Sequence, residues 1–581
     1  MKCALIAPPW PIFNRPSIQL AVLSAYLRHN LPDVDCRCFH PYLALYANMG
    51  ADDYSVVAES SWASEAIGAM IFDPTYMEKK VSMALKALHT KGVRWKAGKV
   101  CEVSEKLLRT LDGWVRSKKW EEYALVGISV SLNQLLSGLY IAQKIKGISP
   151  FTRVVIGGAS VSGPVGQWLL DEFEFIDAII GGEGEIPLLS IVKNLKGDGQ
   201  WIRQVMAGRQ VEDLNNLPPP DYDDFFRELS ALPPRLRFMP TLPIEFSRGC
   251  FWGRCAFCNL NVQWHGYRQK SHLRMKKEVL RLLYKYKCMD FAFMDNALPP
   301  KESVHFFSAM GESGYDLRFF GELRASISRD EAKALGRAGL KRVQVGIEAL
   351  SDAFLSRMKK GRSVMENLAA MKHLLEAGIC LDGNLIMDFP DTQDHEIRET
   401  LKNLEYARFF RPLKAVSFWL GYGCPVFLNP REYGIKRICP HKNYSVLFAG
   451  KSRITGIICD YMGTKRADRS KWQPVRVAMK KWHDFWTNHS INDPPLTYRD
   501  GGSVLMVRQS SEDGTIYQHR FTGASREMFL DMLKPMRLEF IFTKYDKIPK
   551  DRIMAFLKDL SQKHIVYSNG IEALALPVRK K

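Results

Sequence analysis

No apolar run in this sequence approaches the ~18 residues of a membrane-spanning helix, so a helical membrane protein is not expected. The start, "MKCALIAPPWP", breaks at a double proline after a very short apolar run. That run is too short for a secretory signal, and the cytoplasm is the expected compartment. Cysteine is sparse: twelve thiols are spread over 581 residues. A disulfide framework belongs to short secreted chains, so these read as reduced thiols plus one metal cluster. The first 200 residues contain no G-x-G-x-x-G and no G-x-x-x-x-G-K-[ST], which removes the glycines that dinucleotide and P-loop sites require. Low-complexity tracts and internal repeats are also missing. What remains is an ordinary globular composition, 46% hydrophobic and 25% charged, long enough for about three or four domains.

The first part alternates short apolar runs with amphipathic stretches, the pattern of a parallel sheet. "CALIAP" (3–8), "VDCRCFH" (34–40), "ALVGISVS" (124–131), "RVVIGGAS" (153–160) and "AIIGG" (178–182) read as strands. Residues 41–122, rich in Ala, Trp and Tyr, read as a helical insertion into a Rossmann-like domain spanning 1–214. "NNLPPPDYDDF" opens a proline-rich linker (215–240). A second alternating block (241–430) carries strands at 243–250, 290–296, 317–326, 342–350, 380–389 and 414–422, each followed by a helical pattern. Six such units predict a partial (β/α)6 barrel. A basic connecting segment (431–495) leads to a small α+β domain (496–581). There Ile553, Phe556, Leu557 and Leu560 share one helix face. The fold class is therefore α/β with a small α+β tail.

"CFWGRCAFC" (250–258) packs three cysteines into nine residues with no fourth nearby. Thiolates select zinc or iron–sulfur clusters. A structural zinc site needs four ligands, and here only His265 is at hand to complete one. A 4Fe–4S cluster on Cys250, Cys255 and Cys258 explains the incomplete set, because one iron then stays open to a substrate. The triplet also follows the first strand of the barrel block, at the strand end where such folds place active sites.

With these residues the chain resembles the radical S-adenosylmethionine (SAM) superfamily. The family spacing Cys-x3-Cys-x2-Cys is here Cys-x4-Cys-x2-Cys, with the aromatic Phe257 before the last cysteine. The resemblance implies that "FMDN" brings Asp295 to the SAM methionine amine. It further implies that "GELRAS" brings Arg324 to the SAM carboxylate, that "VGIEALS" sets Glu348 near the ribose, and that "GNLIMDFPDT" sets Ile386 near adenine. Asp388 stands where the family has glycine, a departure at the edge of the cofactor site.

"GISVS", "IGGAS" and "IIGGEGE" end successive strands of the first block with small residues. Small residues there let a large flat ligand approach the carboxyl edge of a sheet; tight strand-to-helix turns are the simpler reading of the same glycines. The pattern resembles the cobalamin-binding domain that precedes the barrel in a large radical SAM subclass. It implies contacts from Ser129, Ser131, Gly157, Gly158, and Gly182 or Glu183. The Asp-x-His-x-x-Gly motif is absent, so cobalamin is expected without a protein histidine on cobalt.

The resemblance is closest to radical SAM C-methyltransferases that mature ribosomally made peptides. It implies three cofactors (a 4Fe–4S cluster, SAM and cobalamin) and methyl transfer to an unactivated carbon of a peptide or amino-acid-derived substrate. An electron donor such as flavodoxin or ferredoxin is the implied partner. A cobalamin-binding radical SAM cyclase or epimerase is the alternative within the class. The net charge of +20, from 82 basic and 62 acidic residues, suits an acidic leader peptide held by a winged-helix-like tail that serves as a recognition or lid domain. It also raises an RNA-modifying alternative, for which "KRADRSKWQPVRVAMKKWHDFW" (465–486) offers basic residues interleaved with aromatics.

Overall fold

The computed structural model describes residues 1–197 and 201–580. Strands β1 (Lys2–Ile6), β2 (Asp35–Phe39), β3 (Tyr123–Ser129), β4 (Arg153–Gly157), β5 (Ala178–Gly181) and β6 (Gln204–Ala207) form one parallel sheet, ordered β2-β1-β3-β4-β5-β6. Its four central strands β1, β3, β4 and β5 are nearly continuous apolar runs because helices cover both faces, while the edge strands β2 and β6 are not. Five helices fill residues 41–116 between β2 and β3.

A second six-stranded parallel sheet holds β7 (Leu242–Ile244), β10 (Asp290–Phe293), β11 (Arg318–Arg324), β12 (Leu340–Glu348), β13 (Cys380–Met387) and β14 (Lys414–Ser417), in consecutive order. It is an open half-barrel in which alternation decides what faces inward. On β11, Phe319 packs among Phe291, Phe293, Phe306 and Phe307 on the helix side. The even-numbered Glu322 and Arg324 therefore face the interior. Between β7 and β10, the two-residue strands β8 (Ser247–Arg248) and β9 (Arg268–Gln269) pair and close the neck of the cysteine loop.

The proline-rich stretch is more than a linker. It folds into a helix, Asp223–Ala231, pinned to the first sheet domain. Arg28 donates to Asp221 (2.7 Å), to Asp224 (2.9 Å) and to the carbonyl of Cys36 (2.6 Å). The Tyr222 hydroxyl bonds the Pro243 carbonyl at the start of the barrel. The basic segment is equally built in. Trp472, Val475, Met479, Trp482 and Trp486 are buried against the barrel. Their three indole N–H groups donate to Thr392, Phe410 and Arg408. Aromatics spent on packing are not available to stack on bases, which removes the feature that favoured RNA. Strands β15 (Leu420–Gly421), β16 (Arg437–Pro440) and β17 (Ile458–Met462) form a small sheet in the same region.

The tail holds β18 (Leu496–Asp500), β19 (Val504–Ser510) and β20 (Ile516–Thr522) as an antiparallel meander, then three helices among the short strands β21 (Met536–Arg537), β22 (Val566–Ser568), β23 (Glu572–Ala575) and β24 (Val578–Arg579). Its core is continuous with that of the barrel. Lys372, fully buried on the barrel helix Val364–Glu376, donates to the carbonyls of Leu533 (2.8 Å) and Ala575 (2.6 Å). Burial pulls its ammonium down to about 7. The folded state thus releases a proton that the unfolded chain keeps up to ~10.4, so stability rises as pH increases from 7. Relative to Lys372→Met, wild type should gain roughly 2 kcal/mol between pH 7.0 and 8.5. Urea midpoints at the two pH values check this, and equal slopes would show that Lys372 stays charged.

Candidate active site

The cysteine loop leaves the carboxyl end of β7 and returns through β9. Its neck requires glycine: Gly249 has φ +81°, and a Cβ there would lie 2.2 Å from the Gly266 carbonyl oxygen. Asp295, at the end of β10, holds the base of this neck. Its carboxylate accepts from the backbone N–H of Phe246 (3.0 Å), the N–H of Ser247 and the Ser247 hydroxyl (2.5 Å). Burial nevertheless pushes its carboxyl up to about 7. Its acceptors are thus engaged by the loop, and in this structure Asp295 supports the neck.

Cys250, Cys255 and Cys258 are free and half-buried; burial pushes the Cys258 thiol up to about 11. A single zinc ion would hold thiolates about 3.8 Å apart, given ~2.3 Å bonds in a tetrahedron. Among the described residues, only His272, Glu302 and His305 offer three ligand atoms within 4.8 Å of one another. The three thiols are therefore not all within 4.8 Å of one another, wider than a single zinc ion would hold them. His265 is exposed on the outside of the loop. The soft donor set fits a 4Fe–4S cluster.

Behind the loop, Arg324 is 8% exposed. One Nη donates to the Lys360 carbonyl (2.5 Å), Nε has no partner, and the guanidinium lies 4.6 Å from the Trp252 ring. A buried cation with no acid partner and a free donor is arranged to receive a carboxylate. Two groups that the sequence reading missed complete the pocket. Glu322 shares the inward face of β11 with Arg324. Burial, with Glu348 and Asp295 close by, pushes its carboxyl up to about 7. Lys360 is buried, 3.4 Å from Glu348 and 5.7 Å from the Phe257 ring. The i, i+2 spacing of Glu322 and Arg324 was the available signal; Lys360 left none. Glu348 ends β12 at φ +64°, and Ile386 is buried on the inward face of β13. Asp388 has φ +58°, the conformation that favours glycine. Arg476 Nη2 reaches both of its oxygens at 2.5 Å, and Ser417 donates at 2.6 Å. The departure from glycine is thus held by an arginine from the basic segment.

A cavity of about 210 Å³ opens at the carboxyl edge of the first sheet. Ser129, Ser131, Gly157, Gly158 and Gly182 line it, and among the described residues no histidine does. Gly158 is required by its turn, since a Cβ there would lie 2.4 Å from the Val130 carbonyl oxygen. Gly157 is different: a Cβ would meet only Ile180, at 3.5 Å. Its missing side chain leaves room for a ligand. Ser131 is committed to Gln134. Glu183 also lines the cavity, yet its carboxylate is taken by Arg248 (2.7 Å) and Arg268. With Glu185, which accepts from Arg248 at 2.6 Å, it ties the first sheet to the cysteine loop. Of that pair, Gly182 lines the cavity with no side chain to engage. The opposite wall belongs to the barrel: Glu245, Arg248, Gln263, Trp264 and Met294.

Residues 244–404 match the model of the Radical SAM superfamily, which bears out the resemblance read from the cysteine loop and strand ends. An uncharacterised methyltransferase of Pyrococcus horikoshii is 26% identical over 312 residues, 49% of this chain and 66% of that protein. The matched part therefore spans just under two thirds of that relative. The solved cobalamin-dependent S-adenosylmethionine radical enzyme OxsB, with aqua-cobalamin bound, superposes with a TM-score of 0.54 at 16% identity, over 84% of this chain and 67% of OxsB. The radical SAM methyltransferase TsrM from Kitasatospora setae, with tryptophan substrate and a SAM analogue bound, gives 0.52 at 13% identity, over 83% and 88%. At these identities the likeness is one of fold. Among the described residues no helix is long and apolar enough to cross a membrane.

Proposed function

We propose that this protein is a cobalamin-dependent radical SAM methyltransferase acting on an unactivated carbon of a peptide or amino-acid-derived substrate. One observation carries the reading. A single cavity is walled on one side by small residues of the first sheet and on the other by the loop that bears the three cysteines. Cys250, Cys255 and Cys258 would hold the cluster, Arg324 the SAM carboxylate, Glu322 its amine, and Glu348 and Ile386 the nucleoside. Ser129, Gly157 and Gly182 would line the corrinoid. When bound, these groups supply hydrogen abstraction and a transferable methyl group; the chain's own part is to bind, align and keep water out. Trp252, Phe257 and Lys360 close the cluster side, while the Glu183–Arg248–Glu185 clamp fixes the corrinoid sheet relative to the cysteine loop.

The tail supports a peptide as substrate. β20 is paired on one edge only, with Ile516 and Tyr517 about half exposed. A free strand edge accepts an extended peptide by main-chain pairing, and Arg520 on it suits an acidic leader. Anaerobic reconstitution should give about four irons and one corrinoid per chain, with a cob(II)alamin spectrum free of protein-nitrogen splitting. Incubation with SAM and a candidate precursor should add one CH2, and raising salt from 50 to 500 mM should weaken precursor binding. Imidazole splitting sinks the corrinoid assignment. A product of unchanged mass sinks methylation, and salt-independent binding sinks the acidic leader.

A further inference from the structure

Outside the cysteine loop and the cavity, the fold brings a second set of ligand side chains together. His272 opens the helix His272–Tyr286, three residues after β9 closes the neck of the loop. Glu302 and His305 lie on the helix Pro300–Gly311, which follows β10 and Asp295. The two helices pack against each other. A Glu-x-x-His pair stands one turn apart on a single helix face, a spacing that helical metal sites use. One ligand atom from each of His272, Glu302 and His305 lies within 4.8 Å of the other two.

These donors are largely uncommitted. Glu302 Oε2 accepts from the His272 backbone N–H (2.6 Å) and lies 2.8 Å from His272 Nδ1. Its other oxygen makes no hydrogen bond among the described residues. His305 is exposed, and its ring nitrogens have no hydrogen-bond or ion-pair partner among the described residues. The rings of His272 and His305 stand edge to face with centroids 5.2 Å apart. Two imidazoles on one tetrahedral zinc ion, with Zn–N bonds of ~2.05 Å, place their centroids about 5.3 Å apart. Ligand atoms on such an ion are about 3.3 Å apart, so the contact between His272 Nδ1 and Glu302 has only to widen slightly. Two imidazoles and one carboxylate suit zinc, whereas magnesium and calcium take oxygen ligands.

We propose that His272, Glu302 and His305 bind one zinc ion, which ties the exit of the cysteine loop to the helix after β10. Three protein ligands leave the fourth position to water. The site uses neither the cluster nor the corrinoid, so its test stands apart from the reading above. The probe is Zn2+ alone, titrated into the anaerobic, cluster-loaded full chain. Calorimetry should give one site with a Kd below about 10 µM. X-ray absorption at the zinc edge should show imidazole and oxygen ligands and no sulfur. His305→Ala should weaken binding at least about tenfold with iron content unchanged, because the exposed ring holds nothing else. Glu302→Gln should lose a similar factor while still accepting from the His272 N–H. Zinc should raise the thermal midpoint of wild type and leave that of His305→Ala where it was. A wild-type Kd above about 10 µM, or a smaller loss in His305→Ala, marks an adventitious ion only and overturns the site. Sulfur at the zinc edge overturns it as well, since the ion then sits on cysteine. Imidazole-bound zinc in protein that takes up no iron supports this site and overturns the cluster reading.

Discussion

Alanine at Cys250, Cys255 and Cys258 together is expected to abolish bound iron and sulfide while corrinoid still binds within about threefold of wild type. The first half of that result follows from the ligand set. None of the other nine cysteines lies on this loop, and five of them, Cys3, Cys36, Cys38, Cys288 and Cys424, are buried elsewhere in the fold. The second half follows from the fold. The cysteines sit on a loop whose neck is held by Ser247, Asp295 and the β8–β9 pair, outside the first sheet and its core. Losing the cluster should therefore leave the Gly157 and Gly182 edge intact. Iron, sulfide and corrinoid counted in one preparation check both halves. Retained iron would mean that another thiol substitutes. Loss of corrinoid along with the iron would mean that the cavity wall formed by Gln263 and Trp264 depends on the filled loop.

Much of this architecture was legible because period-2 and period-3.6 patterns survive in its central elements. The barrel strands announce themselves through alternation, and the cysteine triplet through spacing that few other structures need. What stayed hidden depends on partners distant in sequence. Asp295 and Glu183 look like cofactor ligands at strand ends; only the folded chain shows their carboxylates committed to Ser247 and to the Arg248–Arg268 pair. The helix Asp223–Ala231 was hidden by its leading prolines, and it is fixed by Arg28, almost 200 residues away. β6, four residues with no buried side chain, has no pattern to read. The basic segment was misread for a different reason. Charge drew attention to its lysines, while Trp472, Val475, Met479, Trp482 and Trp486 already recur at helical spacing, the mark of a packed face. Asp388 looked like a defect in a glycine-requiring turn. Arg476, the residue that compensates for it, lies 88 positions downstream.

Arg324→Met should lower SAM affinity by about 30- to 150-fold while the cluster and the fold persist. The guanidinium is buried without an acid partner and keeps an unsatisfied Nε. Burial already pulls on its proton, with Cys255 and Cys250 offsetting part of that pull, so an incoming carboxylate relieves the desolvation cost that remains. A charge-assisted, two-pronged bond to a carboxylate is worth roughly 2–3 kcal/mol, which sets the fold-change. The apolar replacement relieves an unpaired buried charge, so the folding midpoint should hold or rise. Arg324→Lys separates charge from geometry. It keeps a cation but loses the planar fork and its stacking on Trp252, and its affinity should fall between the other two. Binding is read by equilibrium dialysis with the cluster content fixed, independent of any substrate or turnover. If Arg324→Met binds SAM within threefold of wild type, the carboxylate is held elsewhere. The guanidinium would then be a support for Trp252 and the Lys360 carbonyl, and the same variant should loosen the cysteine loop and lose iron.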